Sequence, residues 1–173
     1  MFLEQFYPDT EAESSYKIPY EEYYKKGYRG IIFDIDNTLV PHGAAADEKA
    51  IALFERLREI GFSCRLLSNN HEPRVKPFAD KVGAAYVFDA GKPKRAGYEE
   101  AMKEMGTKKE TTLFIGDQLF TDVWGAKRCG IYSIRVLPIH PKEEIQIILK
   151  RRLEAIVLFF YHRSLKKGNK LLP

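Results

Sequence analysis

The chain has 173 residues, 45% of them apolar and 30% charged, with a formal net charge of +4. That length fits one ordinary domain with a real core, and that balance excludes a disordered or fibrous chain. The two cysteines, Cys64 and Cys129, stand far apart with no CxxC or Cys/His spacing, which argues against a disulfide framework or a zinc site.

The opening stretch, MFLEQFYPDTEAE, has early acids and no basic-then-apolar run, so no secretory signal is read there. No apolar run nears the ~18–20 residues that span a bilayer; the longest covers 155–161. A cytoplasmic protein is expected. Residues 1–27 are rich in tyrosine (Tyr7, Tyr16, Tyr20, Tyr23, Tyr24) and are expected to form a leader packed across the domain.

From residue 28 to 141 short apolar runs alternate with amphipathic stretches. Strands are predicted at 30–35, 62–67, 85–88, 111–115 and 132–136, each apolar on nearly both faces, as central parallel strands are. Helices are predicted at 47–60, 72–82, 94–105 and 119–129. Each ends at a glycine (Gly61, Gly83, Gly106, Gly130), the residue that best closes a helix. Pro73 sits near the first turn of the second, where its missing N–H costs nothing. This order predicts an open α/β, Rossmann-like, doubly wound parallel sheet with right-handed crossovers.

Residues 142–173 carry eight Lys and Arg against three Glu, so the basic excess belongs to the tail and the rest of the chain is close to neutral. In the tail Ile145, Ile148, Leu149, Leu153, Ile156, Val157, Phe160 and Tyr161 recur at helical spacing, with Lys150, Arg151, Arg152, Arg163, Lys166 and Lys167 among them. A C-terminal basic amphipathic helix is predicted. Such a helix most often caps a sheet or an oligomer interface; its functional reading is contact with anionic lipid at a membrane surface. The basic residues are interleaved with aliphatics, so nucleic acid is not an expected partner.

Ligands of open α/β sheets bind outside the carboxyl ends of the strands. Those positions carry Asp34 and Asp36, then Ser68-Asn69-Asn70, then Gly91-Lys92-Pro93, then Gly116-Asp117 with Asp122 five residues on. A single acid there is most often a helix cap. Several acids converging with a hydroxyl and a lysine point to a cation, because crowded carboxylates raise one another's pKa unless one is present. Asp34, Asp36 and Asp117 are a candidate Mg²⁺ site, and Ser68 and Lys92 can hold a phosphate opposite.

DIDNT (34–38), Ser68 in LLSNN, Lys92 in GKP and GDQLFTD (116–122) resemble, in order, the four motifs of the haloacid dehalogenase superfamily. The resemblance covers roughly residues 30–136. It implies that Asp34 is a nucleophile forming an aspartyl-phosphate, and that Asp36 is general acid and then base. It implies that Thr38, Ser68, Asn69 and Lys92 bind the phosphoryl group. Mg²⁺ would be held by Asp34, the backbone carbonyl of Asp36 and Asp117, and Asp122 would orient bound water or Lys92. Asp36 points to a phosphatase or phosphotransferase, since carbon–halogen cleavage needs no acid for the leaving group.

The segments 40–68 and 68–92 are too short to hold an inserted cap domain, so an open site is expected unless a partner or another subunit covers it. An open site suits a phosphate carried on something large, and a homo-oligomer acting on small sugar phosphates stays open. The whole pattern looks like the small capless branch of subfamily IIIA, which includes phosphatidylglycerophosphate phosphatases and so implies a phospholipid head-group phosphate as substrate. The alternatives are a soluble sugar or nucleotide phosphate, and a phosphate-binding assembly protein without turnover. His42 and His71 read as loop residues near the motifs, and His140 as a weak signal.

Overall fold

The computed structural model describes residues 2–139 and 145–168; His140 and the tail residues 142–144 and 169–173 lie outside them. Six strands make one all-parallel sheet: β1 (Thr10–Ala12), β2 (Gly30–Phe33), β3 (Ser63–Leu67), β4 (Ala85–Val87), β5 (Thr112–Gly116) and β6 (Tyr132–Val136), in the spatial order β1-β6-β5-β2-β3-β4. The chain leaves β2 toward β3 on one side and reaches β5 on the other, so the order reverses at β2, where such sheets open a crevice.

Five helices accompany the sheet: α1 (Tyr20–Lys25), α2 (Glu48–Ile60), α3 (Glu72–Val82), α4 (Ala96–Met105) and α5 (Trp124–Arg128). Alternation along the central strand distributes them. Ile31 and Phe33 point to the face covered by Phe54 and Leu57 of α2 and Val75 and Phe78 of α3. Ile32 points the other way, to Tyr98 and Ala101 of α4 and Ala126 of α5. Successive strand side chains alternate faces, so burial on both sides requires the unbroken apolar run that β2 has. The outer strands depart from the predicted two-faced burial: in β3 only Leu66 and Leu67 are buried, and β4, at the sheet edge, has no buried residue.

Local chemistry places the helix ends. Asp47 Oδ1 accepts from Ala50 N at 2.9 Å and caps α2. Gly61, at φ 112°, closes it in a left-handed conformation that a side chain would strain. The predicted 119–129 helix is divided: Leu119–Val123 forms a π turn and only Trp124–Arg128 is α-helical. Such bulges often mark functional sites, and this one carries Asp122.

The leader does more than pack. Its β1 adds a strand beside β6, pairing Thr10 with Ile134 and Ala12 with Val136. The sequence hid this strand because it is three residues long and only half-buried. Farther on, Tyr20 is fully buried and its hydroxyl donates to the Ser15 carbonyl at 2.6 Å. Ser15 Oγ then donates to the Thr38 carbonyl at 2.8 Å, and Tyr16 to the Leu39 carbonyl at 2.5 Å. The leader thus braces the loop that follows β2.

The C-terminal helix α6 (Ile145–Gly168) packs against the first turn of the chain and the π turn, burying Glu154, Val157 and Tyr161. Most of the predicted apolar stripe faces away from the sheet: Ile145, Leu149, Leu153 and Ile156 are each more than half exposed. Among the described residues no helix is long and apolar enough to cross a membrane. Cys64 and Cys129 are free thiols.

Packing behind the π turn is tight. A Cβ on Gly125 would lie 2.3 Å from the Tyr98 hydroxyl, which is held by the Thr121 carbonyl at 2.9 Å. Gly125→Ala should therefore destabilise the fold by about 1–3 kcal/mol. Urea denaturation checks this: the midpoint should fall with an unchanged slope, and an unmoved midpoint would contradict the packing described.

Candidate active site

The site is built at the carboxyl ends of β2, β3 and β5. Asp34 directly follows β2, and its N–H continues the ladder to the Ile115 carbonyl at 2.9 Å. The chain then turns sharply. Asn37 takes φ 60°, a conformation asparagine tolerates better than most residues, and donates its N–H to the Val40 carbonyl at 2.8 Å. This turn carries Thr38 back beneath the acids. Its hydroxyl lies 3.3 Å from Asp34 Oδ2 and 3.2 Å from Asp117 Oδ1.

Lys92 joins the acids from the loop after β4. Its ammonium is 2.7 Å from both Asp34 Oδ1 and Asp122 Oδ1, with only 3% of its side chain exposed. Asn69 positions that loop, accepting from Lys92 N at 2.7 Å and donating to its carbonyl at 3.3 Å. Ser68 is buried, and its oxygen accepts from Asn70 N at 3.1 Å, leaving its hydroxyl hydrogen for another acceptor.

One lysine faces two buried carboxylates, and the surplus negative charge falls on Asp34. Burial and then Asp122 raise its carboxyl to about 6, although Lys92 opposes them. Burial alone would lower Lys92, but Asp122 and Asp34 outweigh it and hold the ammonium above its ordinary value. Asp117 is also raised, by burial and then by Asp122 and Asp34, with Arg151 opposing.

The carboxylates of Asp34, Asp117 and Asp122 offer oxygens that all lie within 4.8 Å of one another. A buried, oxygen-only, negatively charged cluster suits a hard divalent cation. Asp122 is the most committed of the three: Oδ1 takes Lys92, and Oδ2 accepts the N–H groups of Asp117 and Gln118 at 3.1 and 3.0 Å. Its position beside those donors comes from the π turn.

Asp36 stands apart from this cluster, at the mouth of the cleft. Its carboxylate accepts from Gly43 N at 2.7 Å, Asn70 Nδ2 at 2.6 Å and Arg74 Nη2 at 2.9 Å. His42 is 4.0 Å from it. His71 points elsewhere and pairs with Asp89 at 2.7 Å.

A family profile for haloacid dehalogenase-like hydrolases matches residues 44–130. The chain is 35% identical over 159 residues to the probable phosphatase YqeG of Bacillus subtilis, covering 91% of this chain and 92% of that protein. The chain belongs to the haloacid dehalogenase-like hydrolases. A chloroplastic/mitochondrial phosphatidylglycerophosphate phosphatase 1 of Arabidopsis thaliana is 27% identical over 94% of this chain, which spans only 49% of that protein's length. Among solved structures, the cobalt-bound deoxy-D-mannose-octulosonate 8-phosphate phosphatase of Haemophilus influenzae superposes with a TM-score of 0.53 at 15% identity, over 80% of this chain and 92% of that one. This likeness shows the shared fold. Within the family the chain is a phosphatase of the capless kind: only α2 and β3 lie between Val40 and Ser68, and only α3 and β4 between Ser68 and Lys92.

The site is nevertheless less open than the missing cap implies. Helix α6 contributes Ile147 and Lys150 to the wall of the cleft that holds Asp34, Ser68 and Lys92. It is pinned there by Glu154 and Arg151. Glu154 Oε1 accepts from Leu119 N at 2.8 Å. Arg151 donates to the Asp117 carbonyl at 3.0 Å, to Glu154 at 2.9 Å and to the Asp117 carboxylate.

Arg151, Glu154 and Arg74 were not legible as site residues, and Asn70 stood among the strand-end residues without a role. Arg151 and Glu154 reach Asp117 and Leu119 across more than thirty residues of chain. The one usable sign was Glu154 itself, an acid on the same helical face as Val157 and Tyr161. Arg74 is a charge in the first turn of α3, and nothing in its spacing marks it.

The raised carboxyls give a pH signature. Without a cation, Asp34 is protonated below about pH 6 in the fold and near pH 4 in the unfolded chain. The stability this proton supplies is present at low pH and is lost as pH rises through about 6. A divalent cation needs the ionised form and displaces the proton. Mg²⁺ should therefore raise the melting temperature more at pH 7.5 than at pH 5. At a hundredfold excess over its Kd the gain approaches about 2.7 kcal/mol. Differential scanning fluorimetry at both pH values checks this, and equal shifts would count against a carboxylate site.

Proposed function

We propose that the chain is a Mg²⁺-dependent phosphomonoesterase that works through an aspartyl-phosphate on Asp34 and acts on a phospholipid head-group phosphate at a membrane surface. The observation that carries the first half is the buried Asp34–Lys92–Asp122 network beside Asp117. It offers a carboxylate nucleophile and a cation for phosphate oxygens within one crevice.

In this reading Ser68, Asn69, Lys92 and Thr38 seat the phosphoryl group, and an Asp34 oxygen attacks phosphorus. The bond to the leaving oxygen breaks as Asp36 delivers a proton to it. Asp36 then takes a proton from water, which attacks phosphorus and frees Asp34 and inorganic phosphate. Arg74, Asn70 and the Gly43 N–H hold Asp36 at the cleft mouth, beside the path of the leaving group. Asp122 fixes Lys92. The Asp34 and Asp117 carboxylates and the Asp36 carbonyl would hold Mg²⁺, which supplies neutralisation of the phosphate's charge.

Support for a lipid substrate comes from α6 and from relatives. Ile145, Leu149, Leu153, Ile156 and Phe159 are exposed on a helix that also carries Arg152, Arg163, Lys166 and Lys167. Apolar side chains flanked by cations suit an anionic bilayer surface. The Arabidopsis relative is named for phosphatidylglycerophosphate, which makes this lipid the first substrate to try.

Purified protein with Mg²⁺ should hydrolyse para-nitrophenyl phosphate. EDTA should abolish turnover, and Asp34→Asn should lower kcat by at least about a thousandfold. Turnover that survives Asp34→Asn would refute the nucleophile. Separately, replacing Leu149, Leu153 and Ile156 together by Ser should weaken cosedimentation with phosphatidylglycerol vesicles by about tenfold or more. It should spare most turnover of the soluble ester, because these side chains point away from the cleft. Undiminished vesicle binding would refute the membrane contact.

A further inference from the structure

We propose that Lys150 of α6 recognises a second anionic group on the substrate, so that the C-terminal helix sets specificity at the outer half of the cleft. This inference rests on the phosphomonoesterase reading and deepens it. The cleft, of about 240 Å³, is lined by the buried Asp34, Ser68 and Lys92 and, from α6, by the half-buried Ile147 and the exposed Lys150.

The cations around this cleft differ in what they are free to do. Lys92 is committed to Asp34 and Asp122 at 2.7 Å each. Arg74 is committed to Asp36 at 2.9 Å, and Arg151 to Asp117 and Glu154. Lys150 is exposed, and no hydrogen bond or ion pair joins it to another described residue. A single phosphoryl group seated on Ser68 and Lys92 leaves this ammonium without a partner at the rim. A substrate with a phosphodiester, phosphate or carboxylate farther along its skeleton would supply one.

The helix is also fixed well enough to discriminate. The residue after Lys150 ties α6 to the Asp117 carbonyl, and Glu154 ties it to Leu119 N at 2.8 Å. A lysine on an anchored helix offers its charge from a defined direction, whereas one on a loose tail only raises the local potential. Ile147, one turn earlier, presents an apolar side chain to the same cleft. An apolar wall before a cation fits a short carbon linker between two anionic groups. Lipid head groups and soluble bisphosphates share that chemistry.

The test compares propyl phosphate with 1,3-propanediol bisphosphate, which share a carbon skeleton and differ in the second anion. Full-length protein and its Lys150→Ala, Lys150→Glu and Lys150→Arg variants are assayed with Mg²⁺. The preference for the bisphosphate, as a ratio of kcat/KM values, should fall roughly five- to tenfold in Lys150→Ala, as loss of one partly solvated charge pair implies. It should fall further in Lys150→Glu and recover in Lys150→Arg, with the change in KM rather than kcat. An unchanged ratio would overturn the proposal.

Phosphatidylglycerophosphate in phosphatidylcholine vesicles, with cosedimentation measured alongside, separates the sources. A loss of lipid turnover with vesicle binding intact assigns the second anion to the lipid head group. A loss seen only with the bisphosphate assigns it to a soluble substrate. Lost vesicle binding with an unmoved soluble ratio would make Lys150 a membrane contact and overturn the proposal. Isothermal titration of the bisphosphate into Asp34→Asn, with and without Lys150→Ala, reads the same contact without turnover; equal affinities there would also overturn it. Failure of the underlying phosphatase reading looks different, because propyl phosphate would then be untouched by wild-type protein or hydrolysed equally by Asp34→Asn.

Discussion

Lys92, buried between Asp34 and Asp122 at 2.7 Å from each, is the contact on which the site depends. One ammonium cannot neutralise two carboxylates, and Asp117 adds a third to the same pocket. The fold therefore keeps an excess of negative charge among largely buried side chains at the floor of the cleft. That arrangement is unfavourable for stability alone, because each acid raises the others' cost of ionisation. In the function proposed above it becomes useful, because a divalent cation and a phosphate arriving together would complete the charge balance.

The surrounding structure serves to keep those charges from relaxing apart. The left-handed Asn37 turn returns Thr38 under Asp34 and Asp117. The leader holds the carbonyls of Thr38 and Leu39 from behind. The π turn places Asp122 so that one oxygen takes Lys92 and the other takes two backbone donors. Asn69 fixes the Lys92 backbone on both sides. Preorganised charge of this kind does not have to reorganise during reaction, which is the main way a protein assists phosphoryl transfer.

Helix α6 links this centre to the outer surface. Arg151 and Glu154 reach the backbone of Asp117 and Leu119, while Leu149, Leu153 and Ile156 face outward on the same helix. A capless phosphatase thus gains a second wall for its cleft from the end of its own chain. Glu11 strengthens the arrangement by pairing with Arg135 of β6 at 2.7 Å and His162 of α6 at 2.6 Å. Leader, sheet and tail meet at that one carboxylate.

Much of this was written locally. The unbroken apolar run of β2, the helix-ending glycines and the acids, serine and lysine after β2, β3, β4 and β5 marked the central strands, the crossovers and the residues gathered at their carboxyl ends, because periodicity and strand-end position are short-range properties. Local pattern did not reveal β1, which is too short and too exposed to show a period. It marked α6 as amphipathic but not which face would be buried. That face is chosen by Glu154 meeting the π turn at Leu119 and Arg151 meeting Asp117, so the helix turns its polar anchors inward and leaves its aliphatic stripe outside. The sequence by itself determined which acids, hydroxyls and lysine stand at the strand ends. Only the tertiary structure decided what encloses it, since that choice rests on contacts between residues more than thirty positions apart.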